Sequence, residues 1–223
     1  MIFVIRPEPG LQSTLQAARN LSLPAVGMPL FQVIPLAWEA PEDAEFDGLL
    51  AGSGNAFRHG GKALESLTDL PVHAVGEATA EAAREAGFTV ARTGEGGLQA
   101  LLDKDKAPRR YLRLAGAERV DVEPGQDSEI VVRTVYEVRA LPIGGSAQVG
   151  LSSPGALVLL HSAAAARHFA AECDRLGLAR SAIALAALGP RIAAAAGHGW
   201  REVRAAEKPA DCALLALARD MCH

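Results

Sequence analysis

Two serine-bearing turns, Ser53-Gly54-Asn55 and Ser162-Ala163, lie 109 residues apart, each placed after an apolar run and before a helical pattern. A second pair of turns repeats the plan: Gly76-Glu77, with Thr79 just beyond, and Gly189-Pro190-Arg191. Small and polar residues where a strand feeds a helix suit one chemistry in particular. The first N–H groups of the helix are left without intrahelical partners and can hold an anion, and a small residue lets backbone approach a ligand closely. Such turns fall at the carboxyl ends of strands, where open α/β sheets bind ligands. The competing reading is that Ser53, Asn55 and Thr79 are ordinary cap or first-turn residues; recurrence of the turns in both halves favours binding. Extended segments at 29–35 and 133–139 precede the serine turns and set Phe31 against Tyr136. Only the tyrosine brings a hydroxyl.

The elements that must position these turns are themselves duplicated. Residues 47–102 reappear in plan as 156–218, and the opening run Ile2-Phe3-Val4-Ile5-Arg6 is answered by Tyr111-Leu112-Arg113-Leu114-Ala115. The periodicity predicts strands near 2–5, 31–34, 47–51, 72–75, 88–91, 110–114, 130–136, 156–160, 183–188 and 201–205. Helices are expected near 9–20, 55–67, 78–86, 97–103, 163–176, 191–197 and 210–221, three of them stopped by Gly87, Gly177 and Gly197. This alternation implies an α/β fold of two similar lobes, each a parallel sheet flanked by helices, facing an interlobe cleft. The polar stretch 104–108 is too short for a linker, whereas the proline-bearing segments after residues 35 and 139 look like crossings. The expected domains are therefore 1–35 plus 143–223, discontinuous, and 39–138, joined by a two-stranded hinge at 36–38 and 139–142.

Composition narrows the function classes. At 223 residues and 49% apolar the chain can bury two modest cores, and with 4% aromatics these must be built from Ala, Leu and Val. A formal charge of −4 speaks against a nucleic-acid partner. No apolar run spans a bilayer and no leader pattern opens the chain, so no membrane partner and a cytoplasmic location are expected. Cys173, Cys212 and Cys222 show no metal-ligand spacing, so no metal is expected, and Cys173 reads as core. His161 and His168 have no carboxylate beside them in sequence and read as structural. Gly52-Ser53-Gly54-Asn55-Ala56-Phe57 begins like a dinucleotide fingerprint but ends in Phe57 where the last glycine belongs, and no Lys-Ser/Thr follows Gly189-Pro190-Arg191 to make a phosphate loop.

The ordered set Arg6-Pro7, Ser53-Gly54-Asn55-Ala56, Val75-Gly76-Glu77-Ala78-Thr79-Ala80, Val135-Tyr136-Glu137, Ser162 and Leu188-Gly189-Pro190 resembles the uroporphyrinogen-III synthase family over nearly the whole chain. The resemblance implies two α/β lobes, one of them discontinuous, with no cofactor and no metal. It also implies a lyase that closes the linear tetrapyrrole hydroxymethylbilane with loss of water and inverts the last pyrrole ring through a spiro intermediate. The implied substrate carries eight carboxylates, and the implied binding residues are Arg6, Ser53, Gly54, Asn55, Gly76, Glu77, Thr79, Ser162, Ala163, Gly189, Pro190 and Arg191, whose turns offer N–H donors at every position but the proline. Tyr136 matches the tyrosine proposed in the family as the acid that helps water leave. A monomer is expected, and a transient contact with the enzyme that makes hydroxymethylbilane is compatible with the family.

The chain departs from the family pattern in places. Ala51-Gly52 replaces an aromatic and Thr before Ser53, His161 precedes Ser162, Ala115-Gly116 stands where Arg-Gly is usual, and Arg191-Ile192 stands where Thr is common. These changes keep two non-catalytic readings open: a binding or regulatory module on the same scaffold that takes a tetrapyrrole or another anion, and a bilobed solute-binding protein, against which the missing leader counts.

Overall fold

A computed structural model describes residues 1–41, 45–105 and 107–222; of the polar loop expected at 104–108, Lys106 lies outside the described residues. The chain divides into two compact units, Met1–Gln32 with Arg139–His223, and Val33–Val138.

The first unit is built on a five-stranded sheet. Its strands are β1 (Ile2–Val4), β2 (Ala25–Gly27), β9 (Leu157–Leu160), β10 (Ala184–Ala187) and β11 (Glu202–Ala205), in the order β11-β10-β9-β1-β2. Every pairing is parallel. Alternation along these strands supplies two cores. Phe3, Val158, Leu160, Leu185 and Ala187 face one way, against Phe169 and Cys173 of α6 (Ala163–Leu176). Ile2, Val4, Leu157, Leu159 and Ala186 face the other, against α1 (Gly10–Asn20) and α8 (Asp211–Met221). Cover on both faces explains why β1, β9 and β10 read as unbroken apolar runs. Helix α6 has the predicted bounds: Ser162 caps its start, and Gly177, left-handed at φ 66°, ends it while the N–H of Leu178 reaches back to the Cys173 carbonyl at 2.9 Å. Burial pushes the Cys173 thiol up to about 12, as expected of a core cysteine.

The second unit repeats this order with one strand added. Its sheet runs β3-β8-β7-β4-β5-β6, with β3 (Phe31–Pro35) and the end of β8 (Glu129–Ala140) reaching past the unit boundary; the others are β4 (Gly48–Ala51), β5 (Val72–Val75), β6 (Val90–Gly94) and β7 (Arg110–Gly116). The pairings from β8 to β6 are parallel. Helices α2 (Asn55–His59) and α3 (Glu77–Glu85) cover the face of Leu49, Ala51, Leu112 and Leu114. Helix α4 (Leu98–Leu102) covers the face of Leu50 and Tyr111.

Three differences from the expected elements have local causes. The single helix expected over 55–67 breaks after Gly60: Gly61 takes φ 65°, which ends α2, and a 3-10 helix continues over Gly61–Leu67. Strand β2, which escaped the pattern, is three residues long, too short to show a period. In sheet order it is β2, and not β3, that matches the first part of β8. Helix α5 (Gly145–Leu151) also escaped prediction, because its three glycines (including the preceding Gly144) weaken any helical signal and only Leu151 is buried.

Candidate functional site

The best-formed cavity in the second unit, about 420 Å³, opens at the carboxyl ends of β4, β5 and β7. Its walls include Gly52 and Ser53 after β4, Val75 of β5, the start of α4, residues 113–116 of β7, and Tyr136 of β8. Along β7 the odd-numbered residues turn towards α4: Tyr111 is packed there, and Arg113 and Ala115 share its face further along the strand. Tyr136 owes its aim to a break in register. Ala115 pairs with Thr134 but Gly116 pairs with Tyr136, so Val135 is an extra residue and the strand bulges. The ring then rests on Gly116, where an added Cβ would come within 2.8 Å of it. Tyr136 is 8% exposed.

The cavity also contains groups that sequence reasoning did not single out. Arg113 is 6% exposed and donates from Nη2 to the Val120 carbonyl at 2.7 Å. Burial, then the neighbouring Arg119, hold its guanidinium below the usual arginine value, while Asp121 and Tyr136 act in the opposite sense. Arg119 reaches the Gly116 carbonyl at 3.4 Å and Thr134 Oγ1 at 3.3 Å. The signal that could have found Arg113 is its place inside the apolar alternation Tyr111-Leu112-Arg113-Leu114-Ala115, where a lone charge contradicts the pattern.

The predicted residues scatter over both units. Ser53 lines the cavity and accepts from the Asn55 N–H at 3.3 Å. Gly54 is buried as the N-cap of α2, and an added Cβ would stand 2.9 Å from Ala82 of α3, so this glycine serves close helix packing. Gly76, at φ 77°, begins α3 and accepts from the N–H groups of Thr79 and Ala80; Glu77 pairs with Arg84 at 2.6 Å on the surface, and Thr79 is buried. In the first unit, Arg6 follows β1, Ser162 and Ala163 follow β9, and Gly189, Pro190 and Arg191 follow β10, all at the carboxyl edge of that sheet. Ser162 Oγ is engaged in capping, accepting from Ala165 N–H at 3.1 Å. Arg191 is exposed on α7 (Pro190–Ala195), with no ion-pair partner among the described residues.

Arg6 sits in a network that the sequence did not suggest. Its Nη1 donates to Thr14 Oγ1 at 3.2 Å and to both oxygens of Asp211, at 3.2 and 3.0 Å, and Thr14 Oγ1 donates to Asp211 at 2.6 Å. His161, read as having no acid nearby, lies 3.4 Å from the same carboxylate. That contact lacks hydrogen-bond geometry, and both ring nitrogens are without a hydrogen-bond partner among the described residues. Burial, then the Arg6 charge, push His161 down to about 4 despite Asp211, so it is neutral at pH 7. His168 is held separately, 2.8 Å from the Leu141 carbonyl, and packs on Phe31. Among the described residues no group of three or more His, Cys, Asp or Glu is placed to hold a metal ion.

A parallel sheet with a small-molecule cavity at the carboxyl ends of its strands is a build that α/β enzymes use for their ligands. Comparison with known proteins identifies which α/β enzymes. The family model described as uroporphyrinogen-III synthase HemD matches residues 12–216, and the chain belongs to this family of enzymes. The fold is similar to that of uroporphyrinogen-III synthetase from Helicobacter pylori 26695, at 18% identity and TM-score 0.63, over 99% of this chain and 98% of that one. It is also similar to a mutant uroporphyrinogen III synthase from the extremely thermophilic bacterium Thermus thermophilus, at 14% identity and TM-score 0.55, over 98% of each chain. No curated protein matches the sequence. No helix among the described residues is long and apolar enough to cross a membrane.

Proposed function

We propose that this protein is a lyase that cyclises hydroxymethylbilane to uroporphyrinogen III. The observation that carries the reading is the family match over residues 12–216, joined to a cavity that brings the hydroxyl-bearing member of the Phe31/Tyr136 pair to the carboxyl edge of a parallel sheet. In this reading Tyr136 donates its phenolic proton to the departing hydroxyl, the pyrrole nitrogen supplies the electron pair, and the C–O bond breaks to release water. The proton returns to the phenolate when the closing ring carbon gives up its own. At about 420 Å³ the cavity takes part of the substrate, near the lower end of the roughly 300–1,000 Å³ usual for small-molecule sites. The turns at Ser53, Gly76, Ser162 and Gly189 belong to the same proposal as backbone donors to carboxylates, as does the two-stranded hinge at 36–38 and 139–142. Holding the chain so that ring inversion outruns direct closure is the larger part of the catalysis.

The test is the isomer formed from freshly generated hydroxymethylbilane, separated after oxidation. Uroporphyrin III in place of the spontaneous type I product is expected. Type I alone from folded protein would return the chain to the binding-module reading.

A further inference from the structure

We propose that Arg113 is the carboxylate anchor of the second unit's cavity, a guanidinium that receives one acetate or propionate arm of the substrate and so positions a pyrrole beside Tyr136. The inference rests on the reading above for the identity of the ligand, and on five observations about the residue itself.

Arg113 occupies an interior strand position on the face of β7 that Tyr111 gives to the core against α4. An apolar side chain there would cost nothing, whereas a buried cation is costly unless something pairs with it. The protein supplies only part of that pairing: Nη2 meets the Val120 carbonyl, and no carboxylate forms an ion pair with Arg113 among the described residues. The guanidinium lines the cavity that Tyr136 also lines, and both are more than nine-tenths buried. Burial and a second guanidinium, Arg119, disfavour its charge by more than the nearby Asp121 and Tyr136 favour it, a balance that an incoming anion would relieve. A planar fork with one arm committed to Val120 leaves its other N–H groups for a carboxylate. The position also violates the local pattern, which natural chains do chiefly where a site requires it.

The experiment uses the full chain and uroporphyrin III, a fluorescent polycarboxylate, as the binding probe, together with the KM and kcat for type III formation and a thermal melt. Two variants are compared: Arg113→Gln, and Arg113→Met, which fills the space with apolar volume and is expected to fold. Each is expected to weaken uroporphyrin binding by about tenfold to a hundredfold, the loss of one charge-assisted hydrogen-bonded pair. KM should rise in parallel, kcat should change less, and the melting temperature should hold or rise. Arg113→Lys should recover part of the affinity, because the charge returns without the fork. Wild-type affinity in either folded variant overturns the proposal, and so does a lowered melting temperature with unchanged binding, the signature of a residue that only holds the Val120 loop. The two readings separate cleanly. Arg113-dependent binding by a protein that yields only type I isomer supports the anchor and removes the proposed activity; type III formation with an unchanged KM in Arg113→Met does the reverse.

Discussion

In the first unit the guanidinium that follows the leading strand, Arg6, is answered within the fold by Asp211 and Thr14. In the second unit the same offset that sets Ile2 against Tyr111 places Ala115 opposite Arg6, and the space opens into a cavity. The second unit does carry a cation, but on Arg113, opposite Val4, where no acid of the protein pairs with it among the described residues. The aromatic pair diverges in the same direction. Phe31 packs against His168 with ring centroids 5.3 Å apart, whereas Tyr136 lies on Gly116 with its ring at the cavity wall. Two sheets of one strand order thus differ in what their carboxyl edges do with charge. One edge pairs its leading cation with an acid of the fold, and the other leaves its cation without an ion-pair partner among the described residues. A duplicated scaffold lets the two tasks separate, because each sheet has its own core on both faces and does not depend on its edge residues to fold.

That contrast can be broken most decisively at Tyr136. Tyr136→Phe is expected to lower kcat for type III formation by about a hundredfold with little change in KM, as the loss of a general acid would. Turnover within about threefold of wild type would make the tyrosine a packing residue like Phe31. On the other edge, Asp211→Ala strips Arg6 and Thr14 of their acceptor. A loss of about 1–3 kcal/mol in urea unfolding is expected, and unchanged stability would mean that the pairing of Arg6 and Thr14 with Asp211 adds nothing to the fold. Gly116→Ala addresses the floor beneath the tyrosine: the new Cβ displaces the ring, and kcat should fall about tenfold. Normal kinetics with a shifted ring in a crystal structure would show that the aim of Tyr136 is unimportant.

Smaller effects sharpen the comparison. His161 is held at about 4 in the folded protein, while the unfolded chain takes up its proton near the ordinary value of about 6.5. The folded state therefore binds fewer protons in this window, so stability is full above about pH 6.5 and declines as pH falls towards 4. The urea midpoint should drop between pH 7 and pH 4.5 by more in wild type than in His161→Asn, and parallel curves would remove His161 from the network's energetics. Arg191→Ala is expected to raise KM only about threefold, since an exposed cation gains little from one contact in water. No change at all would delete Arg191 from the binding turns.

Most of the architecture was legible from patterning alone. Unbroken apolar runs at β1, β9 and β10 and spaced apolar faces at α1 and α6 are forced by burial on both sides of a parallel sheet, and burial acts on residue type. The stop at Gly177 was equally visible, since a left-handed residue there calls for glycine. The turns themselves were found, but their uses were not. Ser53 and Ser162 look alike in sequence, yet one lines a cavity and the other is a helix cap. His161 seemed to lack an acid because its acid, Asp211, lies 50 residues further on.

The sequence by itself determined the duplication, the alternation of strand and helix, the family, and which chemical groups were on hand, because these depend on composition and local periodicity. Only the tertiary structure decided which of those groups meet. An extra residue at Val135 aims Tyr136 at Gly116, parallel neighbours bring Arg6, Thr14, His161 and Asp211 to one edge, and the α4 face of β7 takes Arg113 into a cavity where no described acid pairs with it. Register and long-range packing set those encounters, and a one-residue change in register reverses where every side chain points.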